Sequence, residues 1–591
     1  MKRLSLLITV AMLASLLAAC ATPTPEVIEK VVTQVVTQVV KETVKETIVV
    51  EGTPQVVEKE VTRIVEVEKG KYGGRIIIAA FQDPKGLNPM AWAHGIHWDI
   101  MPQIYDALFW SNEDLDPEPN LVESYTISED GKTYTMKLRQ DVKWHDGEPF
   151  TAEDVEFNVL AWINPALGLY AGTQVRMLAG WDEIQKGASV DELEVKPVEV
   201  VDTYTVKFNL QGPSPAFLHA LANHPNRIAP KHILGDLSVE EWATSSLTTE
   251  PVGTGPFKFK EWRPGEALIL ERYDDYHRGR PWLDEVVFRT IPETSVQATE
   301  LMAGNVDYIR YPPETMYQRL RMDPSVQVLQ GIDTVTWRSF ILNLNTPVLQ
   351  DVRVRQALQH ALDRNEIVDS LFKGNGYPSN QVMAPGTRWY NSDVCEYPCD
   401  LERAKELLVE AGWTPGSDGI LAKDGKRFTI DLLTPNVEDH VQVCVYAQEQ
   451  FRKIGIEATV SALDLPIAVQ KTNEGDFEIR FSSNTKSLDP APGLMDFHSQ
   501  GPAGKGNVMN YSNPEVDELT EFLMMSADQE KRLEAVHRLM DILAEELPHV
   551  FIYHPSRFYA MDAKLGGFKF HPKSTHVITW LWQAYWTETG H

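Results

Sequence analysis

Two histidines three residues apart, His94 and His97, have the spacing at which imidazoles can share a metal ion. Trp144-His145-Asp146-Gly147 places an imidazole beside a carboxylate, the start of an acid–base pair. Neither constellation is completed. No third ligand accompanies His94 and His97, and Asp146-Gly147 reads as a turn. Gly253 and Gly255 in Pro251-Val252-Gly253-Thr254-Gly255-Pro256-Phe257 are read as a tight turn that uses glycine at positive φ, not as a phosphate cradle. Nowhere is there a nucleophile elbow, a phosphate loop or a dense metal motif, so the expectation is no enzyme, no cofactor and no metal. Of four cysteines, Cys395 and Cys399 bracket a five-residue loop and are a candidate disulfide, which Cα separation must decide. Cys444 falls on a predicted helix and reads as a buried thiol.

The fourth thiol, Cys20, belongs to another pattern. Lys2 and Arg3 precede an apolar run that stops at Leu17-Ala18-Ala19-Cys20, the form of an export signal. This stretch resembles the bacterial lipobox, which implies cleavage after residue 19 and a lipid on Cys20. Two acyl signals hold a protein at a membrane stably where one is marginal. From residue 20 to 70 the chain is low in complexity, with near-repeats such as Val31-Val32-Thr33-Gln34 and Val35-Val36-Thr37-Gln38. Its valine spacing fits a helical stripe and its β-branched content an extended chain, so periodicity leaves both open. With no second apolar face it is expected to be a stalk, either single or self-associating.

Beyond the stalk the composition is that of a globular body. Among 591 residues, 43% are hydrophobic and 24% charged, and 84 acidic residues against 55 basic ones give a formal charge of −29. A field of that sign repels phosphate backbones and argues against nucleic acid as a partner. No second long apolar run follows the N-terminus. The body opens with the strand Ile76-Ile77-Ile78, then a hairpin turning at Glu129-Asp130-Gly131-Lys132 and a helix opened by Thr151 with Asp154 in capping-box spacing. Val198 to Leu210 reads as strand. Asp351 and Asp400 open helices that Gly374 and Gly412 close, and Asp424-Gly425 turns into the alternating strand Phe428, Ile430, Leu432. Helices and strands interleave throughout, which argues for α/β lobes.

Five stretches, in order along the chain, carry a resemblance. They are Tyr134 to Val155, Pro251 to Phe257, Val352 to Leu358 with Asp363-Arg364, the Ala404–Leu408 helix with Ala411-Gly412, and Asn513 to Asp517. The chain resembles the family 5 extracellular solute-binding proteins of bacterial peptide and nickel ABC importers. The resemblance implies an α/β, two-lobed periplasmic-binding-protein-like clamshell of type II, the large variant with an inserted subdomain. Lobe I would comprise residues 71–332 plus 560–591, with the insertion at about 117–244, and lobe II residues 333–559. Hinges are expected near Ser339–Leu344 and Phe551–Tyr559. The implied role is capture of a solute, by default an oligopeptide or dipeptide, and delivery to ABC permease subunits from a lipid-anchored position outside the cytoplasm. An oligosaccharide or a metal chelate is the alternative ligand, and a surface-displayed hydrolase or a stalk-borne structural protein the alternative role.

By position in the family, His94, Gly95, His97 and Trp98 fall on a cleft-facing loop, Trp337 near hinge and cleft, and Asn507 at a cleft-facing asparagine. The tryptophan and aspartate that hold a peptide amine correspond to Phe481 and Asn484, with Asp489 a nearby replacement if the loop is longer. Thr434-Pro435-Asn436 stands where dipeptide-binding relatives place a carboxylate-binding arginine. The aromatic cluster Trp580, Trp582, Tyr585 and Trp586 is expected to pack the C-terminal segment on lobe I.

Overall fold

A computed structural model describes residues 36–50 and 53–67, and from 73 onward all residues except 92–94, 113–114, 168, 170–174, 224, 486–488, 502–506, 569–580 and 588–591. Cys20 and His94 therefore lie outside the described residues. The chain falls into two compact units, Met1–Lys71 and Tyr72–His591.

In the first unit, β1 (Val36–Val50) and β2 (Thr53–Val67) form one antiparallel hairpin, in continuous register from Val36 opposite Val67 to Val50 opposite Thr53. The β-branched content outweighs the four-residue valine spacing, so the extended reading is the one realised.

In the second unit, β3 (Arg75–Ala80) starts the main sheet, and α1 (His97–Ile104) follows it. The short hairpin β4 (Phe109–Ser111) and β5 (Pro117–Pro119) opens the insertion. Strands β6 (Val122–Ile127) and β7 (Thr133–Leu138) form the expected hairpin, with Gly131 at φ 70° in its turn. Thr151 caps α2 (Ala152–Ile163), and its own N–H donates the reciprocal bond to Asp154 Oδ2 at 2.9 Å. Val198 to Leu210 is not one strand but a hairpin, β8 (Val198–Asp202) and β9 (Thr205–Asn209), broken where Asp202 turns the chain by accepting from Tyr204 N–H. The four strands form one sheet in the order β6-β7-β9-β8, over a core that includes Trp144, Phe150, Trp162 and Phe217 of α3 (Ala216–Leu221).

The chain then returns to the main sheet through β10 (Phe257–Arg263), β11 (Ala267–Arg272), β12 (Glu285–Thr290), β13 (Tyr308–Arg310) and β14 (Val326–Ile332). The second lobe holds β15 (Thr336–Leu342), α4 (Val352–His360), β16 (Gly376–Pro378), α5 (Leu401–Glu410), β17 (Thr429–Pro435), α6 (Glu438–Lys453), β18 (Glu457–Leu463) and β19 (Ile479–Thr485). Three helices follow, α7 (Pro490–Leu494), α8 (Pro514–Met525) and α9 (Gln529–Glu546). Asp351 and Asp400 cap α4 and α5 as their spacing predicts. Asp424 and Gly425, both at positive φ, make the two-residue turn before β17.

A fourteen-residue strand, β20 (His549–Asp562), joins the two halves of the sheet. The order is β10-β11-β12-β3-β13-β20-β15-β19-β17-β18, with β14 and β16 also paired to β20. Residues His549–Tyr553 of β20 pair with β15, whereas Ser556–Asp562 pair with β14. Each half has its own core, with Ile76, Phe257 and Phe288 on one side and Phe340, Phe428 and Phe481 on the other. The result is a two-lobed α/β clamshell with an insertion in the first lobe.

The observed crossings differ in part from the expected hinges. The first is the link at residues 333–335 between β14 and β15, upstream of Ser339–Leu344, which lie inside the second lobe's sheet and just beyond it. The second is Pro555–Ser556 within β20. Pro555 has no N–H to give to a ladder, so the proline sits where the strand changes partners. The C-terminal aromatics pack on the first lobe: Trp586 is buried in its core and donates to Arg75 O at 3.0 Å, and Tyr585 meets Trp282. Trp580 lies outside the described residues.

The family-like glycines earn their place by contact. Neither Gly253 nor Gly255 has positive φ; instead a Cβ on Gly253 would lie 1.8 Å from Ile104 O, and one on Gly255 2.6 Å from Ile104 C. His145 fixes the same turn. Its Nε2–H donates to Gly255 O at 2.9 Å and its Nδ1 accepts from Gly253 N–H at 3.2 Å. Burial lowers its pKa to about 4, which keeps the ring neutral for both bonds.

Candidate functional site between the lobes

Strands β17, β18 and β19 run parallel, and their carboxyl ends, Pro435, Leu463 and Thr485, lie on the side of the crossing, because Thr485 is the register partner of Thr336 at the start of β15. Open α/β sheets bind ligands outside the carboxyl ends of their strands. The two links between lobes are braced to each other at the same level. Asp333 N–H donates to Pro555 O at 2.9 Å, and Arg557 Nε donates to Asp333 Oδ2 at 2.7 Å. Arg338 donates to His440 Nε2 and lies 3.6 Å from Asp439, at the start of α6. Burial and that guanidinium lower the His440 pKa to about 4.

Most side chains expected to meet a ligand are engaged by the fold instead. Phe481 does not line the cleft: it is buried in the second lobe's core, with ring contacts to Phe340 at 4.9 Å and His440 at 5.2 Å. Trp337 is buried on the opposite face of the sheet, in register with Asn484. Asn484 is half-buried, and its Nδ2 donates to Ser339 Oγ at 3.0 Å, while Ser339 bonds His549 Nδ1 at 3.0 Å. Burial holds the His549 pKa down at about 3.

Asp489 does not offer a free charge. It is fully buried, both oxygens accept from Arg532 Nη2 at 2.6 and 2.7 Å, and it caps α7 through Ala491 N–H. Asn507 builds its own loop, donating to His498 O and Tyr511 O and accepting from Tyr511 N–H. His97 likewise turns inward, to Gly86 O at 2.9 Å, whereas Gly95 and Trp98 remain half-buried. Beside them Asp99 pairs with Arg310. Burial outweighs the guanidinium and raises the Asp99 pKa to about 6. Sequence spacing gave no sign of this pair, whose members are far apart in the chain.

The proposed bond between Cys395 and Cys399 is not formed, and both are exposed free thiols. Their loop is pinned at its middle: Arg364 and His360 take the carbonyls of Tyr397 and Pro398, and Cys395 Sγ faces Glu396 O. Cys444 is the expected buried thiol, its pKa raised by burial to about 12. Among the described residues no group of three or more His, Cys, Asp or Glu is arranged to hold a metal, and no helix is long and apolar enough to cross a membrane.

The profile of the bacterial extracellular solute-binding proteins, family 5, matches residues 116–505. The chain belongs to this family. Family 5 proteins are binding proteins of ABC transporters and not enzymes, and the two-lobed fold agrees. The chain is 30% identical to the oligopeptide-binding protein AppA of Bacillus subtilis over 512 residues, covering 85% of this chain and 90% of the relative. It is 26% identical to the dipeptide-binding protein of Escherichia coli, covering 83% and 91%. Among solved structures, Bacillus subtilis AppA in complex with a nonapeptide superposes with a TM-score of 0.64 at 28% identity, over 88% of this chain and all of that one. NikZ from Campylobacter jejuni in complex with Ni(L-His) superposes with a TM-score of 0.65 at 25% identity, over 86% and 99%.

Proposed function

We propose that this family 5 protein captures a peptide-like solute between its lobes outside the cytoplasm and presents it to ABC permease subunits, held at the membrane by a lipid on Cys20. The observation that carries the reading is the crossing itself: three parallel strands end on the side of two links that are braced by Asp333 and Arg557. Such a pair of links permits hinge closure, the motion by which periplasmic binding proteins enclose a ligand. The oligopeptide- and dipeptide-binding relatives support a peptide as the solute.

A second reading has a specific basis. Asn484 is uncharged, Asp489 is neutralised by Arg532, and Asn436 stands where a carboxylate-binding arginine is expected, so neither end of a free peptide has its usual partner. This favours a less charged solute, an oligosaccharide or a metal chelate, in the same receptor role.

A thermal-shift screen over mixed peptides, oligosaccharides and metal chelates tests both readings. One class is expected to raise the melting temperature, because a solute that binds only the folded state adds RT ln(1 + [L]/Kd) to stability. Stabilisation by peptides bearing free termini would exclude the second reading, and a melt that no solute moves would exclude both. The anchor is tested separately: Cys20→Ala is expected to move the protein out of the membrane fraction, and unchanged retention would refute it.

A further inference from the structure

The hairpin of β4 and β5 ends in a turn closed on itself. Asn112 N–H donates to Asp116 O at 3.0 Å, Asp116 N–H to Asn112 Oδ1 at 2.9 Å, and Leu115 N–H to Asn112 O at 3.1 Å. Leu115 sits at φ 71°, a left-handed conformation that a leucine holds only where its surroundings impose it. In that conformation its side chain is buried against Val335, just before β15, in an apolar contact separate from the cores of both lobes.

The next residue reaches the second lobe itself. Arg388 Nη1 donates to Asp116 Oδ1 at 3.2 Å and Oδ2 at 3.4 Å. Arg388 belongs to the second lobe and is already oriented there: Nη2 donates to Gln529 Oε1 at the start of α9, and the guanidinium lies 4.6 Å from the centre of the Trp389 ring. Further along, His219 of α3 in the insertion brings Nδ1 to 3.9 Å from Asp489 Oδ2 in the second lobe.

We propose that the hairpin tip is a latch in which Leu115 seats the turn on the link at Val335 and Asp116 engages Arg388 of the second lobe, favouring approach of the lobes without help from a solute. The Asp116–Arg388 pair uses side chains of the protein alone, so breaking it withdraws stabilisation from an arrangement in which those two residues meet. A solute then has to supply only the remaining differential affinity. The purpose of the latch rests on the receptor reading, whereas its existence does not.

Hydrogen exchange on the full chain tests it. Arg388→Ala, a change in the second lobe, is expected to raise exchange across residues 109–119 of the first lobe by about five-fold, the size set by an exposed, oriented ion pair. The charge exchange Asp116→Arg with Arg388→Asp is expected to restore protection, which separates the contact from local damage by either substitution. Unchanged exchange at 109–119 in Arg388→Ala, or no recovery in the exchanged pair, would overturn the latch. Either outcome would leave the receptor reading standing, since solute-induced stabilisation tests that independently.

Discussion

Two arginine–aspartate pairs, one inside the second lobe and one at the crossing, do different work. Asp489 and Arg532 both belong to the second lobe and are wholly removed from water, with side-chain exposures of 0% each. Asp333 and Arg557 join the two links between lobes, and the Arg557 side chain keeps 29% of its surface exposed. The first pair ties α9 to the start of α7 within one lobe, and the second braces the pivot while leaving its cation in contact with solvent. A carboxylate near a binding cleft is therefore not by that fact a ligand group. What decides is whether the fold has already supplied its counter-charge.

The largest expected effect comes from breaking the enclosed pair. Arg532→Ala leaves Asp489 as an uncompensated buried charge and is expected to cost about 3–5 kcal/mol in chemical denaturation. Arg557→Ala removes bonds to a carboxylate that also accepts from Val335 N–H, and about 1.5–3 kcal/mol is expected. Equal losses for the two variants would erase the distinction between lobe and pivot.

Much of the architecture was legible from local pattern. Caps at Thr151, Asp351 and Asp400 and the turns at Gly131 and Asp424-Gly425 formed where residue type and spacing placed them. The candidate site was far less legible, because its residues act through partners distant in sequence. Nothing near Phe481 announces that its ring faces α6, since that depends on strand register with β15. Asp489 is separated from Arg532 by two helices, and His145 meets its glycines only after the insertion has folded back. Gly253 and Gly255 do shape the backbone, but the close approach of Ile104 requires them there and not a positive φ, and that contact leaves no local trace in the sequence. Proximity in sequence makes Cys395 and Cys399 a candidate pair, whereas the bonds from Arg364 and His360 fix the loop by other means.

Acid titration compares the two lobes more gently. His145 in the first lobe and His440 and His549 in the second are held neutral, with pKa values lowered to about 4, 4 and 3. The unfolded chain protonates these rings near pH 6.5, before the folded chain does, so stability is full above that pH and falls as the pH drops toward 4 and then 3. Thermal melts from pH 7 to 3 are expected to show this loss. His549→Gln is expected to flatten its lower end, and a parallel acid limb in that variant would show that another group carries it. The smallest effect belongs to Asn484→Asp. The new carboxylate can accept from the Ser339 hydroxyl, so stability is expected to change by less than about 1 kcal/mol, while affinity for amine-bearing peptides rises. Calorimetric titration of wild-type and variant protein with one such peptide checks it, and equal affinities would show that Asn484 does not face the amine.

Solute capture by closure about Asp333–Val335 and Pro555–Ser556 is tested most directly by small-angle X-ray scattering before and after addition of the solute class that stabilises the protein. A smaller radius of gyration with the solute bound is the expected result. A solute that raises the melting temperature yet leaves the radius of gyration unchanged would contradict closure.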